Sequence, residues 1–470
     1  MNQIYSKINL LPILMLIISC KATEDLNLPL EVFPDEYRVE LQEESDRTAS
    51  IKWEAFFEDP YLQDLIDLAI SHNNNLWIAR KNVESAQWQL KQANWGNVPE
   101  FDVLISATTT RFSDNSLSGI STELFLGKNH LEDFLVQGML SWEADIWGKI
   151  RNQKKQALAV YLQTIEAQRA LQTSLVAMVA KTYYNLLMLD EQLEIATNNY
   201  KLTENTKNLI DLQFESGLVT SLAQQQALAQ LKQAEQLIPL LQENIMVQEN
   251  ALSILTGNSP SSIRRVSFPQ SGSLIGDFAS GIPVDLLHQR PDVREAELAL
   301  QAANANMGIA QTMMYPSIRI TAASGLSTFQ AGNWLNVPGS VFGLVGGSLA
   351  QPVLNRKRLK SNFEMSKISR DQAAFKFRET ALVAIKEVTD ALIQIEKLES
   401  RQSIMQERVE SLENAVAQAD LLFESGIATY LEVITAQGNL LQSQLDLIAV
   451  RRSQLDASIE LYRALGGGWN

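Results

Sequence analysis

The sequence predicts an α+β membrane protein made of two internal repeats, each with the order helix, β-hairpin, long helix, helix. Three observations support this. The sequence FESGL at residues 214–218 recurs as FESGI at residues 423–427, an offset of 209 residues. Two pairs of segments alternate apolar and polar residues, which is typical of half-buried strands. Residues 151–214 and 356–425 contain no proline or glycine, which favours two very long helices.

The composition narrows the possible functions. The 470 residues include 39 basic and 54 acidic side chains, for a net charge of −15, and the lack of a basic block argues against a nucleic-acid partner. One cysteine and three dispersed histidines give no disulfide framework and no metal site. No nucleophile elbow, phosphate loop or zinc-protease motif is present, so we expect no enzyme activity and no cofactor. Because no apolar run of about 18 residues occurs inside the chain, a polytopic helical membrane protein is excluded.

The N-terminus predicts an exported lipoprotein. Residues 1–19 combine Lys7, an apolar segment and Ser19, the pattern of a secretory signal peptide. The sequence IISC at residues 17–20 resembles a bacterial lipobox, which implies cleavage before Cys20 and lipidation of its thiol. An accidental buried cysteine is the alternative. Residues 20–50, acidic and containing proline, would form a tether from the lipid to the fold.

The first repeat spans residues 51–265. Asp59 and Pro60 precede a helical pattern over residues 61–95. Strands follow at about residues 101–112 and 134–147, separated by a polar, loop-like segment at 113–133. The long helix over 151–214 and a shorter one over 220–256 complete this half.

The second repeat spans residues 266–470 and has the same order. Its strands are expected at about 318–328 and 341–353, with Pro338 and Gly339 in the connecting turn. The long helix over 356–425 carries apolar or alanine residues in two seven-residue series, interrupted only by Gln402, which predicts coiled-coil packing against a neighbouring helix. The series are Phe377, Ala384, Ala391, Leu398, Met405, Leu412 and Ala419, and Ala381, Val388, Ile395, Gln402, Val409 and Val416.

Four strands raise the question of how a membrane-spanning sheet could close. About eight strands are the minimum for a barrel, and open strand edges are not tolerated in lipid. A spanning sheet therefore requires several chains: two would supply eight strands and three would supply twelve. An ordinary cytoplasmic coiled coil would explain neither the export signal nor the hairpins nor the duplication. The alternative from another class is a lipid-anchored structural coiled-coil tether without a pore.

Three motifs resemble the TolC family of outer-membrane factors, in its NodT-like lipoprotein branch that serves RND-type efflux pumps. They are KWEAFFEDPYL at residues 52–62, WEADIWGK at 142–149 and LLHQRPDVREAE at 286–297. The resemblance implies a homotrimer whose twelve-stranded β-barrel lies in the outer membrane of a Gram-negative bacterium and continues as a periplasmic α-helical barrel. Such a trimer is a passive exit duct for small molecules, working with a periplasmic adaptor (membrane fusion) protein and an inner-membrane RND-type transporter. Type I secretion or metal-ion efflux is the alternative within this class.

The resemblance also assigns site residues. The repeated turns between long and short helices would lie at the helix ends opposite the strands and dock the adaptor. The predicted docking residues are Phe214, Glu215, Ser216, Gly217 and Leu218 in the first turn and Phe423, Glu424, Ser425, Gly426 and Ile427 in the second. A plain helix–helix turn is the alternative.

An acidic gate is implied just after the second turn. The matching residue is Glu432, and three copies would form a ring that favours cations. The corresponding first-repeat residue is Ala223, and a second acidic position of some members is Thr435 here, so this gate is less acidic than theirs. The alternative role for Glu432 is a solvated helix carboxylate.

Overall fold

The computed structural model describes residues 52–269 and 290–469. The predicted signal peptide, Cys20, the tether and residues 286–289 of the third motif lie outside the described residues. The described chain divides into two compact units. The strand unit comprises residues 85–161 and 298–375, and the helical unit comprises residues 52–84, 162–269, 290–297 and 376–469.

Each half of the chain has the predicted order of elements. The first half contains α1 (Trp53–Phe56), α2 (Pro60–His72), α3 (Asn74–Asn94), β1 (Glu100–Arg111), α4 (Leu117–Leu126), β2 (His130–Ala144), α5 (Lys149–Glu215) and α6 (Ser221–Leu255). The second contains α7 (Pro291–Thr312), β3 (Ser317–Thr328), β4 (Val341–Ala350), α8 (Arg358–Glu424) and α9 (Tyr430–Ala464). Helices α5 and α8 are each 67 residues long.

The prediction of a single helix over residues 61–95 is wrong, because the structure has two helices here, separated at Asn73. The Asn73 side-chain oxygen accepts hydrogen bonds from the backbone N–H groups of Asn75 and Leu76, at 3.0 and 3.2 Å. These are N–H groups of the first turn of α3, which have no partner inside the helix. Asn73 thus caps a new helix, as asparagine commonly does.

The segment 113–133 is also not the loop that its polarity predicts, because it contains α4. The Ser116 hydroxyl caps the helix start by accepting from the Gly119 N–H at 3.0 Å. Gly127 ends it in the left-handed conformation with φ 64°, which glycine adopts without steric cost. Strand β2 accordingly begins at His130, earlier than the predicted residue 134, and β4 ends at Ala350 rather than 353.

The four strands form one antiparallel sheet in the order β1-β2-β3-β4. The β2–β3 pairing joins the two repeats, with Phe134 opposite Thr328 and Ala144 opposite Ile318. Directly opposed residues in an antiparallel pair project to the same face, so the register assigns every strand residue to one of two faces.

One sheet face is apolar across all four strands. Its members are Phe101, Val103, Ile105 and Ala107 of β1, Phe134, Val136, Leu140 and Trp142 of β2, Ile318, Ile320, Ala322 and Leu326 of β3, and Val341, Val345 and Leu349 of β4. Charged residues of this parity occur only near one end, at Arg111 and Glu132. The other face, which we call the polar face, carries most of the strand charges. It is mixed, because it also includes Leu104, Leu131, Leu135, Met139, Phe342 and Leu344.

The main core of the helical unit includes residues of α1, α2, α3, α5, α6 and α9. Tyr183, Leu186 and Leu187 of α5 pack with Leu62 and Ile66 of α2. Residues of α6 and α9 complete the same cluster, among them Leu241, Leu252, Leu455 and Ile459. All thirteen heptad residues of α8 are buried or half-buried, and Val388 and Ala391 pack on Leu461 and Ala464 of α9. The prediction that α8 packs along its heptads is therefore confirmed.

Candidate functional site

Two turns of the same geometry connect the long helices to the short ones. In the first, Gly217 has φ 74°, and the Leu218 N–H donates to the Gln213 carbonyl at 2.8 Å. In the second, Gly426 has φ 75°, and the Ile427 N–H donates to the Leu422 carbonyl at 2.8 Å. These are Schellman helix ends, in which a left-handed glycine reverses the chain. The structure thus gives the two repeated segments one conformation.

The two turns pack against each other around a small apolar cluster, which we call the tip cluster. It consists of the buried residues Ile210, Ala223, Ala227, Phe423 and Val433. Polar links between the repeats reinforce it. The Tyr430 hydroxyl donates to the Gln226 side-chain oxygen, and the Gln437 amide donates to the Thr206 hydroxyl at 2.9 Å.

The predicted docking residues differ in exposure. Phe423 is buried in the tip cluster, whereas Phe214 is 38% exposed. Leu218 and Ile427 are each 75% exposed, and the Glu-Ser-Gly residues of both turns are exposed. Two further exposed apolar residues follow at Leu222 and Leu431, one helical turn beyond. The sequence analysis did not predict this pair, although Leu222 and Leu431 each follow an apolar docking residue by four positions, which is one turn of a helix.

Glu432 lies in the first turn of α9, where its carboxylate has a local partner. Its Oε2 atom accepts from the Thr429 N–H at 2.6 Å and from the Thr429 hydroxyl at 3.0 Å, as in a capping box. These hydrogen bonds stabilise the charged form and lower the pKa of Glu432. Its counterpart Ala223 is 1% exposed in the tip cluster, where an ionised carboxylate would be costly to bury. An acidic side chain would therefore be unfavourable at residue 223.

We expect the start of α9 to loosen in acid. A carboxylate with a lowered folded-state pKa stabilises the fold above its unfolded-state pKa, and this contribution is lost as the pH falls through the folded-state value. Amide hydrogen exchange in residues 429–433, corrected for the intrinsic rate, should therefore increase below about pH 4. Glu432→Gln should remove this pH dependence. The same dependence in the variant would contradict the capping role.

The polar sheet face carries a charged group beside a cavity of about 620 Å³. Lys149 donates to both carboxylate oxygens of Glu143 at 2.9 and 3.1 Å, and Arg319 lies 3.7 Å from the same carboxylate. Glu100 lines the same cavity, together with Ser141 and the glutamines 89, 92 and 153. The two carboxylates and two cations balance each other.

The motif at residues 142–149 forms the junction between β2 and α5. Both Asp145 carboxylate oxygens accept from helix N–H groups, those of Ile150 at 2.9 Å and Arg151 at 3.0 Å. The Trp147 indole donates to the Pro316 carbonyl at 2.7 Å. These contacts hold the start of α5 against the neighbouring hairpin.

The described part of the third motif is centred on Arg290, which is 2% exposed. It donates to Asp292 at 2.6 Å, to Glu387 at 2.7 Å and to the Ala464 carbonyl at 2.9 Å. Glu387 also pairs with Arg463 at 2.9 Å. Burial opposes the charge on Arg290, but the two carboxylates outweigh it and raise its pKa. This ion-pair network ties α7, α8 and α9 together.

In the first motif, Trp53, Phe56 and Phe57 belong to the same helical core. Phe56 stacks on Tyr462 of α9 with ring centroids 4.2 Å apart, and Phe57 is fully buried. The Tyr183 hydroxyl donates to Asp59 at 2.6 Å. All three motifs therefore have identified structural roles.

The family model described as outer membrane efflux protein matches residues 65–258 and 282–467. The chain belongs to this family. The resemblance that the three motifs predict is thereby confirmed, and the protein is an outer-membrane component of an efflux system. Among the helices of residues 52–269 and 290–469, none is both long enough and apolar enough to span a bilayer.

Family relatives align along most of their length. The solvent efflux pump outer membrane protein SrpC of Pseudomonas putida is 32% identical over 429 residues, covering 90% of this chain and 88% of SrpC. The cation efflux system protein CusC of Escherichia coli is 27% identical over 475 residues, covering 99% of both chains.

Solved structures show the same fold. A crystal structure of CusC superposes with a TM-score of 0.83 at 26% identity, covering 96% of this chain and all of that one. The Campylobacter jejuni CmeC outer membrane channel gives a TM-score of 0.85 at 23% identity, covering 96% and 95%; at this identity the likeness concerns the fold alone.

Proposed function

We propose that the protein is the passive exit duct of a tripartite, RND-type efflux pump, and that three copies close a twelve-stranded barrel in the outer membrane. The observation that carries this proposal is the sheet itself. Its apolar face is matched in register across four strands, and its other face carries most of the strand charges beside several apolar residues. A sheet with one face for lipid and one for water is what a transmembrane barrel requires.

The sheet edges support association of several copies. Within the described residues, β1 and β4 are the outermost strands, and each is paired on one side only. Unpaired backbone groups cannot remain in lipid, so β1 of one copy must pair with β4 of the next. The helices of three copies would continue this barrel as the periplasmic tunnel.

Reconstitution in planar bilayers tests the proposed pore. Purified full-length trimer should produce stepwise conductance increases. Val103→Asp, a charge on the apolar sheet face, should lower the frequency of insertion, since a charge facing lipid is costly. Ser106→Asp, a charge on the polar face of the same strand, is the matched control and should insert normally. A wild-type protein that never conducts at any voltage would favour the coiled-coil tether instead.

The proposed partners are a periplasmic adaptor protein at the turns and an inner-membrane RND-type transporter that supplies energy. The repeated turns offer two similar apolar sites per chain, built on Leu218 and Ile427. The names of SrpC and of the toluene efflux pump protein TtgI, also 32% identical, support small organic molecules as the cargo.

We also propose that Cys20 carries the lipid anchor. Growth with a labelled fatty acid should label the wild-type protein, and Cys20→Ser should abolish the label. Several acyl chains bind stably because each buried methylene contributes about 0.8 kcal/mol. Labelling that persists in Cys20→Ser would contradict the assignment, because the chain has no other cysteine.

The ring of three Glu432 carboxylates remains a proposal for the closed entrance. Both Thr429 contacts involve Oε2, and the side chain is exposed, which is compatible with cations binding at Oε1. Block of single channels by divalent cations should weaken in Glu432→Ala. Unchanged block would remove the ring from the proposed function.

A further inference from the structure

We propose that α4 is an interfacial membrane helix, whose exposed apolar side enters the lipid leaflet around the barrel at the strand ends remote from α5 and α8. This membrane contact depends on the proposed function, because it requires the apolar sheet face to lie in lipid. It gives the exposed side of α4 one occupant, the boundary between the headgroups and the acyl chains of a bilayer.

The apolar residues of α4 are turned outward, unlike those of a helix that packs on a protein core. Leu117, Ile120 and Leu124 are spaced by three and four residues, so they share one side of the helix. They are 83%, 55% and 76% exposed, and Phe125 beside them is 82% exposed. Four large apolar side chains within ten residues form a surface for which water is an unfavourable environment.

Small residues hold the opposite side of α4 against its own connection to β1. Gly119 and Thr122, which are three residues apart, are buried. A Cβ atom at residue 119 would lie 2.1 Å from the Ser113 carbonyl oxygen, so only glycine allows the backbones to approach this closely. Rotating α4 to bury its leucines would bring a larger side chain into this space. The outward direction of the apolar side is therefore built into the local packing.

Ion pairs on both sides of α4 place its connections beside the apolar sheet face. Before the helix, the Asp114 carboxylate lies 3.9 Å from the Arg111 guanidinium. After it, the Lys128 ammonium lies 3.7 Å from the Glu132 carboxylate. Arg111 and Glu132 both project to the apolar face, near the end of the β1–β2 pair. Both connections of α4 thus reach the face that is proposed to contact lipid.

The same strand ends carry the residue types of a bilayer interface. Trp334, in the β3–β4 connection, lies against Phe134 of the apolar face with ring centroids 5.2 Å apart, and aromatic rings are enriched where hydrocarbon meets headgroups. The Arg111 and Lys128 side chains are 67% and 53% exposed despite their ion pairs. Cations at this level match anionic phosphate headgroups, and an apolar helix side matches the acyl boundary below them.

The β3–β4 connection provides the alternative occupant. Its residues Leu335 and Val337 are 78% and 67% exposed. If β4 of one copy pairs with β1 of the next, this connection lies beside α4 of that copy, because α4 follows β1 directly. Packing between copies would then cover the apolar side of α4 instead of lipid, and the experiment must distinguish the two.

Spin labels on single introduced cysteines test the membrane contact in the full-length trimer, reconstituted into vesicles of phosphatidylethanolamine and phosphatidylglycerol. Collisions of a label with oxygen, which concentrates in lipid, and with a nickel chelate, which stays in water, report its surroundings. Ile105→Cys on the apolar face is the lipid reference, and Ser216→Cys in the first turn is the water reference. The ratio of oxygen to nickel collisions at Leu124→Cys should be several-fold above the water reference and close to the lipid reference. The parent protein, whose one cysteine is Cys20, gives the labelling background.

A label at Leu117→Cys shows whether the apolar side enters lipid as a unit. Adding Leu124→Asp charges this side and should withdraw the helix, so the collision ratio at residue 117 should fall towards the water reference. Ser118→Asp is the matched control. It adds the same charge at an exposed residue of α4, but on the side of Thr122, four residues away, and should leave the ratio unchanged. Equal changes for the two aspartate variants would contradict the proposed orientation.

The outcomes separate the membrane contact from the proposed barrel. If the nickel chelate reaches the Ile105→Cys label as readily as the Ser216→Cys label, the barrel is overturned and the membrane contact with it. If Ile105→Cys lies in lipid but Leu124→Cys lies in water, only the membrane contact of α4 is overturned. A Leu124→Cys label that both reagents reach poorly would also overturn it, because protein, such as the neighbouring copy, would then cover the apolar side.

Discussion

Replacing Arg290 with methionine is expected to destabilise the helical unit by about 3–5 kcal/mol, the usual cost of removing one partner from a buried ion pair. The methionine would fill much of the space, but Asp292 and Glu387 would lose their shared cation and the Ala464 carbonyl would lose its donor. The midpoint of thermal unfolding, followed by helical circular dichroism, measures the effect.

The pH dependence of the destabilisation by Arg290→Met distinguishes the loss of the ion pairs from a loss of packing. Burial raises the pKa of Asp292, but Arg290 outweighs burial and lowers it overall. In wild type, the stabilisation from this carboxylate is present above its unfolded-state pKa and is lost as the pH falls through the folded-state value. In Arg290→Met, the orphaned carboxylate can take up a proton, so the difference from wild type should shrink towards pH 4. A difference that is independent of pH would indicate packing alone.

Arg294 supplies the control for this substitution. It lies in the first turn of α7, which Arg290 immediately precedes, but its ion pair with Glu297 is a local contact of a side chain that is 38% exposed. Partly exposed pairs contribute about 0–1 kcal/mol. Arg294→Met should therefore shift the unfolding midpoint only slightly. Equal shifts for the two variants would contradict the role assigned to the Arg290 network.

The elements of the fold were predictable because each has a periodic signal. The period of two in β1–β4 and the heptads of α8 extend over many residues, so a local exception such as Gln402 does not erase them. The break at Asn73 and helix α4 could not be predicted from composition. Each depends on one capping side chain, Asn73 or Ser116, whereas the surrounding segment predicts an unbroken helix in the first case and a loop in the second. Both cap residues belong to types that favour helix starts.

The site could be predicted only where the interacting residues are close together in the sequence. The two turns were visible because glycine and its neighbours repeat, and the Thr429–Glu432 spacing was a readable capping signal. Two of the partners of Arg290, Glu387 and the Ala464 carbonyl, lie 97 and 174 residues away, and nothing in the local sequence indicates them. The balance of charges on the polar sheet face likewise depends on strand register, which the hairpin sequences do not specify.

The second large effect is expected at the turns, where Leu218→Glu combined with Ile427→Glu should abolish efflux. These side chains are highly exposed and lie outside the tip cluster, so charging them should leave the fold intact. An apolar anchor at the centre of an interface contributes about 2 kcal/mol, or roughly 30-fold in affinity. Losing both anchors in every chain would remove the adaptor's apolar contacts at each turn.

Drug susceptibility of cells that carry each variant in place of the native gene measures this effect. The double variant should be as susceptible as cells lacking the gene, while either single variant retains one turn per chain and should show partial resistance. Leu218→Ile with Ile427→Leu keeps both apolar surfaces and should preserve resistance. Because the proposed pore does not depend on the adaptor, the double glutamate variant should still conduct in planar bilayers. Full resistance in that variant would mean that the adaptor binds elsewhere, whereas loss of conductance would mean that the turns stabilise the trimer itself.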